Sequence, residues 1–485
     1  MTRVGIQDKP CRQRLDLAGG GGPNAVMPED NQELPREAAE FLAAFPATRA
    51  IDAIYPDLCG ILRGKRYPIS LLGKLMADGL ATPGSVFLLD AIGENHDPEG
   101  RGFSDGDPDS LGKVIPGSLK PMPWAQEPTG QVMMTFSEAD GSPYPFEPRN
   151  VLAAVAARLA ALGLTPVVAF ELEFYLIDRQ RLADGSPQPP LSPRSGKRMS
   201  GAQVYGMHEV EDFSKVIGEI TRCCEAQGIA TGAITKEYAA GQFEINLNHL
   251  DDPLVAADHC IMFKRVVKGV AEQFDFEATF MAKPYADAVG SGLHLHCSLL
   301  NDGGENVFAE APEAAAGSVS DTLKHAIGGI LGLMPAAMGI LAPSVNSFRR
   351  YRPNIFVPTQ RSWDLENRSV ALRIPSGPRS ARRIEHRIAG ADANPYLTLA
   401  TLLAGVHHGL TNKIDPGPPT TGNAGERYDP DLPFRPRRAL QMMLESDQLK
   451  SYLGTDYVKT YVACKLAELD KFEAIVSPAE YEWYL

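Results

Sequence analysis

The sequence GSGLHLHCSL occupies residues 290–299 and alternates polar with apolar side chains over most of its length. Successive side chains of a β-strand point to opposite faces of the sheet, so His294, His296 and Ser298 are expected to share one face. Any one of these histidines alone could be an ordinary core residue with satisfied hydrogen bonds. Together they predict a strand that directs polar groups toward one surface.

A second run, FELEFYLI at residues 170–177, places Glu171 and Glu173 on one face of an otherwise apolar strand. Two like charges side by side on a buried surface cost free energy unless a cation neutralises them. An exposed strand face is the simpler explanation for this pair taken alone. The pair therefore indicates a cation site only if other strands repeat the pattern.

The third run, TKEYAAGQFEINLN at residues 235–248, does repeat it. It places Glu237 in a glycine-containing loop and Glu244 on a strand, where Asn246 and Asn248 follow on the same face. Three strands that each direct polar groups inward predict a common site. Oxygen ligands with an occasional imidazole suit Mg²⁺ or Mn²⁺ better than zinc, which favours more nitrogen and sulfur.

The chain between residues 346 and 387 is rich in arginine and contains no lysine. Arginine presents a planar, permanently charged fork that grips phosphate and carboxylate oxygens in pairs. We therefore predict an anion-binding wall, with some arginines instead paired at the surface to Asp364, Glu366 and Glu385. The arginines are Arg349, Arg350, Arg352, Arg361, Arg368, Arg373, Arg379, Arg382, Arg383 and Arg387. A carboxylate cluster beside such a wall is typical of phosphoryl transfer, where positioning and charge neutralisation supply most of the catalysis.

Composition excludes several other classes of protein. The 485 residues are enough for about two or three domains. The formal net charge of −13 argues against a nucleic-acid-binding protein, because phosphate backbones attract basic surfaces. Seven scattered cysteines without a Cys-x-x-Cys pair indicate neither a zinc site nor a disulfide framework, and they are typical of a reducing cytoplasm. Residues 326–342 are apolar, but the run is short for a membrane span and contains Pro335, so we expect a buried helix.

Breaker residues and strand patterns divide the chain into three segments. Residues 1–35, with four consecutive glycines, are expected to form a flexible extension. Residues 36–145 predict a small α+β domain, with short strands at 50–55, 85–89 and 131–136. From residue 146 to 485, helices and strands follow one another, beginning with a helix at 151–162 and a strand at 167–177.

These residues resemble the glutamine synthetase family, and the resemblance covers nearly the whole chain after residue 36. Its most specific part runs from Lys283 through the GSGLH turn to Ser298, in the position of that family's ATP-region signature. The other motifs occur in the family's order with compatible spacing. They are ELE at 171–173, GQFE at 241–244, NRSVALRIP at 367–375, RRIEHR at 382–387 and NPYL at 394–397.

The resemblance implies an α+β fold with an N-terminal β-grasp domain (36–145) and a catalytic domain (146–485) that forms an α/β funnel around an antiparallel sheet. It implies a cytoplasmic homo-oligomer, a dodecamer of two stacked hexameric rings, in which a neighbour's N-terminal domain completes each active site. Glutamate, ATP and an amine are the implied substrates, with Mg²⁺ or Mn²⁺ as the metal. Neither nucleic acid nor a membrane is an expected partner.

The family's functional residues carry over by position. One metal would be held by Glu173, Glu237 and Glu244, and the other by Glu171, His294 and Glu385. The ATP phosphates and the transferring phosphoryl group would be contacted by Arg368, Arg373 and Arg383, and the rest of the nucleotide by His296 and Ser298. Glutamate would be held by Arg350, Arg387 and the backbone of Gly290.

The implied reaction has two steps. The γ-carboxylate of glutamate attacks the γ-phosphate of ATP, which gives γ-glutamyl phosphate and ADP, and an amine then displaces phosphate. The amine must lose a proton before it attacks, and Asp90 and Glu366 are the candidate bases.

Two departures from the family pattern bear on the amine. Phe356 or Ile355 stands where glutamine synthetases carry a loop glutamate that binds ammonium, and an apolar residue packs better against a carbon skeleton. The family's Asp-Gly-Ser-Ser motif is missing, which leaves Asp90 as the only carboxylate there. The sequence IAGADANP at 388–395 is similar to the γ-glutamylpolyamine synthetase branch. We therefore expect an organic amine, first a polyamine such as putrescine. The alternatives are a glutamine synthetase that uses ammonia and a non-catalytic nitrogen-sensing homologue.

Overall fold

Two β-sheets organise the computed structural model, which describes residues 34–485 apart from Ala202 and Ala316. The predicted extension at 1–35 lies almost wholly outside the described residues. Pro35–Leu485 forms one compact unit, so the predicted domain boundary between residues 145 and 146 stays a prediction. The observed mixture of helices and sheets agrees with the predicted α+β class.

The smaller sheet lies near the N-terminus. Its strands are β1 Ala50–Pro56, β2 Leu62–Pro68, β3 Leu80–Pro83, β4 Asp109–Val114, β5 Lys120–Pro121 and β6 Thr129–Ser137. They are ordered β2-β1-β6-β4-β3, with β5 beside β6, and only β1 and β6 pair in parallel. The strands predicted at 50–55 and 131–136 are confirmed. The strand predicted at 85–89 is wrong, because Gly84–Leu88 is a 3₁₀ helix that buries Gly84 and Phe87 at three-residue spacing.

The larger sheet carries the polar runs singled out in the sequence. Its strands are β7 Leu164–Asp178, β8 Thr231–Lys236, β9 Gln242–Leu247, β10 Phe276–Thr279, β11 Leu293–Asn301, β12 Trp363–Leu365, β13 Leu372–Ile374 and β14 Ile384–His386. They are ordered β12-β13-β14-β11-β7-β9-β8, with β10 also pairing with β7. Every pairing is antiparallel except that of β12 with β13. The predicted antiparallel sheet is thus confirmed.

Thirteen α-helices in the described residues cover these sheets. They are α1 Arg36–Ala44, α2 Leu72–Asp78, α3 Pro148–Ala160, α4 Met207–Asp212, α5 Ser214–Ala226, α6 Pro253–Gln273, α7 Asp321–Leu341, α8 Val345–Phe348, α9 Pro395–Asn412, α10 Pro436–Glu445, α11 Asp447–Leu453, α12 Thr455–Glu473 and α13 Pro478–Tyr484. The helix predicted at 151–162 corresponds to α3.

The apolar helix α7 is long enough to cross a membrane, yet 72% of its apolar window is buried inside the protein. Ser320 caps its first turn by accepting a hydrogen bond from the backbone N–H of Leu323. Helix α7 packs closely on α9, since a Cβ atom added at Gly329 would lie 2.1 Å from the carbonyl oxygen of Gly405. The prediction of a buried helix is confirmed.

Glu147 joins the smaller sheet to α3 and should make stability depend on pH. One carboxylate oxygen accepts hydrogen bonds from Phe136 N (2.7 Å), Thr135 Oγ1 (3.1 Å) and Asn150 Nδ2 (2.8 Å). The other oxygen is buried and has no partner among the described residues. Burial raises the pKa of Glu147 from 4.5 to about 8, so the folded state favours the protonated acid.

Replacing Glu147 with glutamine should therefore flatten the pH dependence of unfolding. The stabilising contribution of the protonated acid is complete below pH 4.5 and is lost as the pH rises through about 8. Wild-type stability should fall by at most about 1.4 kcal/mol per pH unit across this window. Thermal unfolding at pH 5.5 and 8.5 measures how the stability of each protein changes with pH. The stability of the variant relative to the wild type should be higher at pH 8.5 than at pH 5.5. The control is Glu482→Gln, at an exposed position, and equal pH slopes for all three proteins would contradict the assignment.

Candidate active site

Cross-strand pairing in the larger sheet brings the predicted carboxylates and histidines together. Strand β7 pairs with β11 so that Glu171 lies opposite His294. On its other edge β7 pairs with β9, and Glu173 lies opposite Glu244. Directly opposite residues of antiparallel strands are close neighbours on one face of the sheet. Residues far apart in sequence thus form one polar surface.

Strands β13 and β14 extend this surface. Glu385 lies opposite His296 on one side and Arg373 on the other. Arg373 Nη1 donates a hydrogen bond to Glu385 Oε2 at 2.8 Å, and Arg387 also pairs with this carboxylate. Burial opposes ionisation of Glu385, but the two guanidinium groups and the nearby histidines hold its pKa below the usual value.

Glu171 is the centre of the cluster. Asn246 Nδ2 donates to Glu171 Oε1 at 2.7 Å, and His296 Nε2 lies 2.8 Å from the same oxygen. His294 Nδ1 lies 3.4 Å from Glu171 Oε2. Although Glu171 is mostly buried, its contacts with His294 and His296 hold its pKa well below the usual range. It is therefore an anion at neutral pH and can serve two neighbouring sets of ligands.

Two other carboxyl groups of the cluster resist ionisation. Burial, followed by repulsion from Glu173, raises the pKa of Glu237 to about 7 and that of Glu244 to about 9. Like charges brought together out of water ionise reluctantly unless a cation is added. A divalent ion would supply that positive charge and favour the ionised carboxylates.

The donor atoms also have the spacing that a metal ion requires. In each of two sets, one ligand atom from every residue lies within 4.8 Å of the others: Glu171, Glu244 and His294; and Glu171, His296 and Glu385. Carboxylate oxygens with one imidazole nitrogen suit Mg²⁺ or Mn²⁺. The residues therefore fit the predicted metals.

Glu244 belongs to one of these sets and also lies opposite Glu173 across the β7–β9 pair. Glu173 Oε2 accepts hydrogen bonds from Gln242 Nε2 (3.2 Å) and from the backbone N–H of Gly292 (2.9 Å). The assignment of each ligand to one of two metals stays a prediction.

A cleft of 690 Å³ opens beside this cluster. Its lining joins Glu171 and Asn246 to three residues predicted to contact ATP, namely His296, Ser298 and Arg383. Arg383 Nε donates to His296 Nδ1 at 3.0 Å, so the guanidinium group lies against the histidine. The cleft thus borders the candidate metal ligands directly.

Arg350 reaches the cluster from the opposite side of the glycine-rich turn. Its side chain is buried, and Nη1 donates to the carbonyl oxygen of Ile388 at 3.2 Å. A Cβ atom at Gly290 would lie 2.5 Å from Arg350 Cγ, and one at Gly292 would lie 3.2 Å from Arg350 Nη2 and 3.4 Å from Glu173 Oε1. Because these glycines lack side chains, the guanidinium group can lie beside the carboxylates.

Two other predicted residues, Glu366 and Arg368, lie at the edge of this cluster, and Phe356 is exposed to solvent. The side chain of Glu366 is half exposed and pairs with Arg373 at 3.1 Å. Arg368 is exposed, and its charge acts on Glu237. Phe356 is 76% exposed in the loop that follows α8. An apolar ring in water is available for contact with a substrate or another chain.

The structure does not bring Asp90 into this cluster. Its buried carboxylate accepts hydrogen bonds from the backbone N–H groups of Ile92 (3.0 Å) and Glu94 (2.8 Å) and contacts His96 Nε2 at 2.7 Å. Asp90 lines a separate cavity of 240 Å³. Within its own chain it holds a loop together, and its role as a base has no geometric support there.

Several arginines of the predicted wall stabilise the fold instead. Arg361 Nε donates to Asp429 Oδ2 at 3.0 Å, and Arg382 Nη2 donates to Glu310 Oε1 at 2.8 Å. Neither partner is one of the three acidic residues predicted to pair with arginines, namely Asp364, Glu366 and Glu385. Only some of the arginines therefore face the carboxylate cluster.

Gln242 is a site residue that sequence reasoning missed. Its Nε2 donates both to Glu173 Oε2 (3.2 Å) and to the carbonyl oxygen of Gly290 (3.1 Å), so it connects β9 to the glycine-rich turn. Gln242 lies two residues before Glu244 on the same strand face. The alternation that identified Glu244 could have identified it as well.

Comparison with known proteins identifies relatives of this chain. A family model described as "Glutamine synthetase, catalytic domain" matches residues 145–484. The chain is 43% identical to the gamma-glutamylputrescine synthetase PuuA of Escherichia coli (strain K12), over 93% of this chain and 94% of that protein. It is 32% identical to a glutamate–isopropylamine ligase of a Pseudomonas species, over 95% of this chain and 99% of that protein.

A solved structure of a GmaS/ADP complex has the same fold. The two structures superimpose with a TM-score of 0.78 at 26% sequence identity, over 92% of this chain and 99% of that one. The similarity extends over nearly the full length of both chains.

Proposed function

The chain belongs to the glutamine synthetase family, and we propose that it uses ATP to join the γ-carboxylate of glutamate to a polyamine such as putrescine. It is a glutamate–amine ligase. The observation that supports the chemistry is the cross-strand row of Glu171, His294, His296 and Glu385. Glu171 and His296 line the open cleft, and Glu385 pairs with Arg373 and Arg387. The amine class rests on the similarity to gamma-glutamylputrescine synthetase over nearly the whole chain.

We propose further features on the ground of family membership. The smaller sheet would belong to a β-grasp domain (36–145), and residues 146–485 would form the catalytic domain. The protein would work in the cytoplasm as a dodecamer of two hexameric rings. A neighbour's N-terminal domain would then complete each site, which gives Asp90 a route to a site other than that of its own chain.

In the first step, an oxygen of the glutamate γ-carboxylate bonds to the γ-phosphorus of ATP, and the bond from phosphorus to the bridging oxygen of ADP breaks. Arg350, with Arg387, would hold the glutamate carboxylates, and Arg373 and Arg383 would stabilise charge on the phosphoryl group. Divalent ions, held by the carboxylate and histidine ligands, would neutralise phosphate charge when bound.

In the second step, the amine nitrogen attacks the acyl carbon of γ-glutamyl phosphate, inorganic phosphate leaves and the nitrogen loses a proton. Of the two predicted bases, Glu366 lies beside the site through its contact with Arg373. Phosphate is a good leaving group, whereas the free carboxylate would not react with an amine at neutral pH. The ATP-dependent first step therefore makes amide formation possible.

The test is a panel of amines read by ADP release with glutamate and Mg²⁺ present. Putrescine should give a kcat/KM at least about 100-fold above that of ammonia. Each methylene group in a fitted pocket contributes about 1 kcal/mol or more to specificity, and putrescine has a chain of about four of them. Isopropylamine tests a pocket for monoamines, and reactions without glutamate set the background. Equal rates with ammonia and putrescine would assign the chain to the glutamine synthetases that use ammonia. If none of the amines supported ADP formation, the chain would be a binding protein and not a ligase.

Replacing Phe356 with glutamate should shift this preference toward ammonia. A carboxylate in that loop can attract ammonium, whereas the phenyl ring offers only apolar contact. The ratio of kcat/KM for putrescine to that for ammonia should fall by about tenfold, or about 1.4 kcal/mol. The matched control is Leu182→Glu, another exposed apolar residue in a loop. An unchanged ratio would remove Phe356 from amine selection.

A further inference from the structure

A second cleft, of 640 Å³, lies between β2 and α6, and positive charge predominates in its lining. Its lining includes six basic residues, Arg63, Lys65, Arg66, Lys264, Arg265 and Lys268. The charged ends of two of them are bound outside the lining, since Lys65 Nζ donates to the carbonyl oxygen of Ala81 and Arg63 Nε donates to Asp57. The acidic side chains in the lining are those of Asp52 and Glu272 only. The chain as a whole has a formal net charge of −13. The concentration of positive charge in one cleft therefore runs against the average of the protein.

Asp52 cannot neutralise the arginines that surround it. Arg66 donates two hydrogen bonds to its carboxylate, from Nε at 2.6 Å and Nη2 at 3.0 Å. Arg265 Nη2 donates a third at 2.7 Å. One negative charge thus faces two guanidinium groups, and these contacts hold the pKa of Asp52 low despite its burial.

One arginine nitrogen in the cleft lining lacks an acceptor. Nη1 of Arg265 is buried and has no hydrogen-bond partner among the described residues. The guanidinium group of Arg63 instead lies against Asp57 and Gly93, which do not line the cleft. A buried donor without an acceptor is costly, so Arg265 favours a ligand that brings oxygen atoms.

Two lysines on α6 add unbalanced charge. Lys264 Nζ donates to the carbonyl oxygens of Ala391 (2.7 Å) and Ala393 (3.0 Å), which satisfy its hydrogen bonds without supplying a negative charge. Lys268 lies one helical turn further along, on the same face of the helix. Its ammonium group has no hydrogen bond or ion pair within residues 34–485, apart from Ala202 and Ala316, which the structure does not describe. Like charges at this spacing repel each other unless an anion lies between them.

One wall of the cleft is rigid and apolar. Trp124 is 8% exposed and packs on Gly269 of α6, where an added Cβ atom would lie 2.2 Å from the indole Cδ1. The glycine therefore brings the indole ring against the helix, beside Lys268 and Arg265. The lining has no residue in common with that of the 690 Å³ cleft at the active site.

We propose that this second cleft binds a phosphoryl group, carried either by inorganic phosphate or by a nucleoside monophosphate. Phosphate offers several charged oxygens to arginine forks and lysine ammonium groups at once. The bound anion would accept a hydrogen bond from Arg265 and balance the charge of Lys268. Within one chain, the cleft shares no lining residue with the proposed ATP site.

Equilibrium dialysis of the intact protein against radiolabelled inorganic phosphate tests the proposal, with AMP as a second probe. Lys268→Gln should weaken phosphate binding in the second cleft by about tenfold, because a charge-assisted hydrogen bond is lost. This change corresponds to about 1.4 kcal/mol. Lys268→Arg should retain binding, because the positive charge remains. AMP bound more tightly than phosphate would identify a nucleotide as the ligand, and the reverse order would identify phosphate itself.

Lys459→Gln is the matched control, since Lys459 is exposed on α12 and lines none of the clefts described above. Equal binding by the wild type and by Lys268→Gln would overturn the proposal. A change of oligomeric state in Lys268→Gln, with phosphate binding unaltered, would also overturn it, because the cleft would then receive another copy of the chain.

Discussion

Glu171→Gln is expected to lower kcat for ADP release by about 10³-fold, the scale on which metal and electrostatic stabilisation act in phosphoryl transfer. Glutamine retains the shape and a hydrogen-bond acceptor but lacks the charge. Glu171 belongs to both sets of candidate metal ligands, so both sets lose a charged oxygen in one substitution. The rate is measured at saturating glutamate, ATP and putrescine over a range of Mg²⁺ concentrations.

The matched control is Glu277→Gln, on the neighbouring strand β10, where the side chain is partly exposed and pairs with Arg181. This variant should keep the wild-type rate. Thermal unfolding of both variants separates loss of chemistry from loss of fold. If Glu171→Gln kept more than a tenth of the activity, the cluster would not be the metal site.

The polar faces of β7, β9 and β11 could be predicted because alternation in a strand is a local property. Glu171 and Glu173 share a face whatever their strand pairs with. Register is not local, and it decides which residues lie opposite one another. The sequence therefore predicts which residues share a face, but not that Glu171 lies opposite His294 or that Glu173 lies opposite Glu244.

Ion pairs between residues that are distant in sequence could not be predicted either. Arg361 pairs with Asp429, and Arg382 pairs with Glu310, across about 70 residues in each case. No local pattern identifies such partners. Asp90 was likewise selected as a lone carboxylate, whereas its hydrogen bonds to the loop at 92–96 depend on a turn that composition does not specify. The run at 85–89, predicted as a strand, forms part of a 3₁₀ helix, because a short apolar run does not by itself distinguish a strand from a helix.

Arg350→Lys is expected to raise the KM for glutamate by about 10- to 100-fold, since a hydrogen bond to a charged group contributes about 1.5–3 kcal/mol. Lysine keeps the charge but replaces a planar fork with a single ammonium group. The shorter reach also breaks the contact of Arg350 Nη1 with Ile388 O. The KM for ATP should change much less, because the proposed nucleotide cleft does not include Arg350 in its lining.

Initial rates over a matrix of glutamate and ATP concentrations separate the two KM values. Arg437→Lys is the matched control, because Arg437 lies on α10 and pairs with Asp470 and Glu473 at the surface. Its kinetics should match those of the wild type. An equal rise in both KM values for Arg350→Lys would indicate a disturbed fold, which thermal unfolding would reveal. An unchanged KM for glutamate would place the substrate carboxylates elsewhere, since the buried guanidinium group of Arg350 would then only support the turn at 290–292.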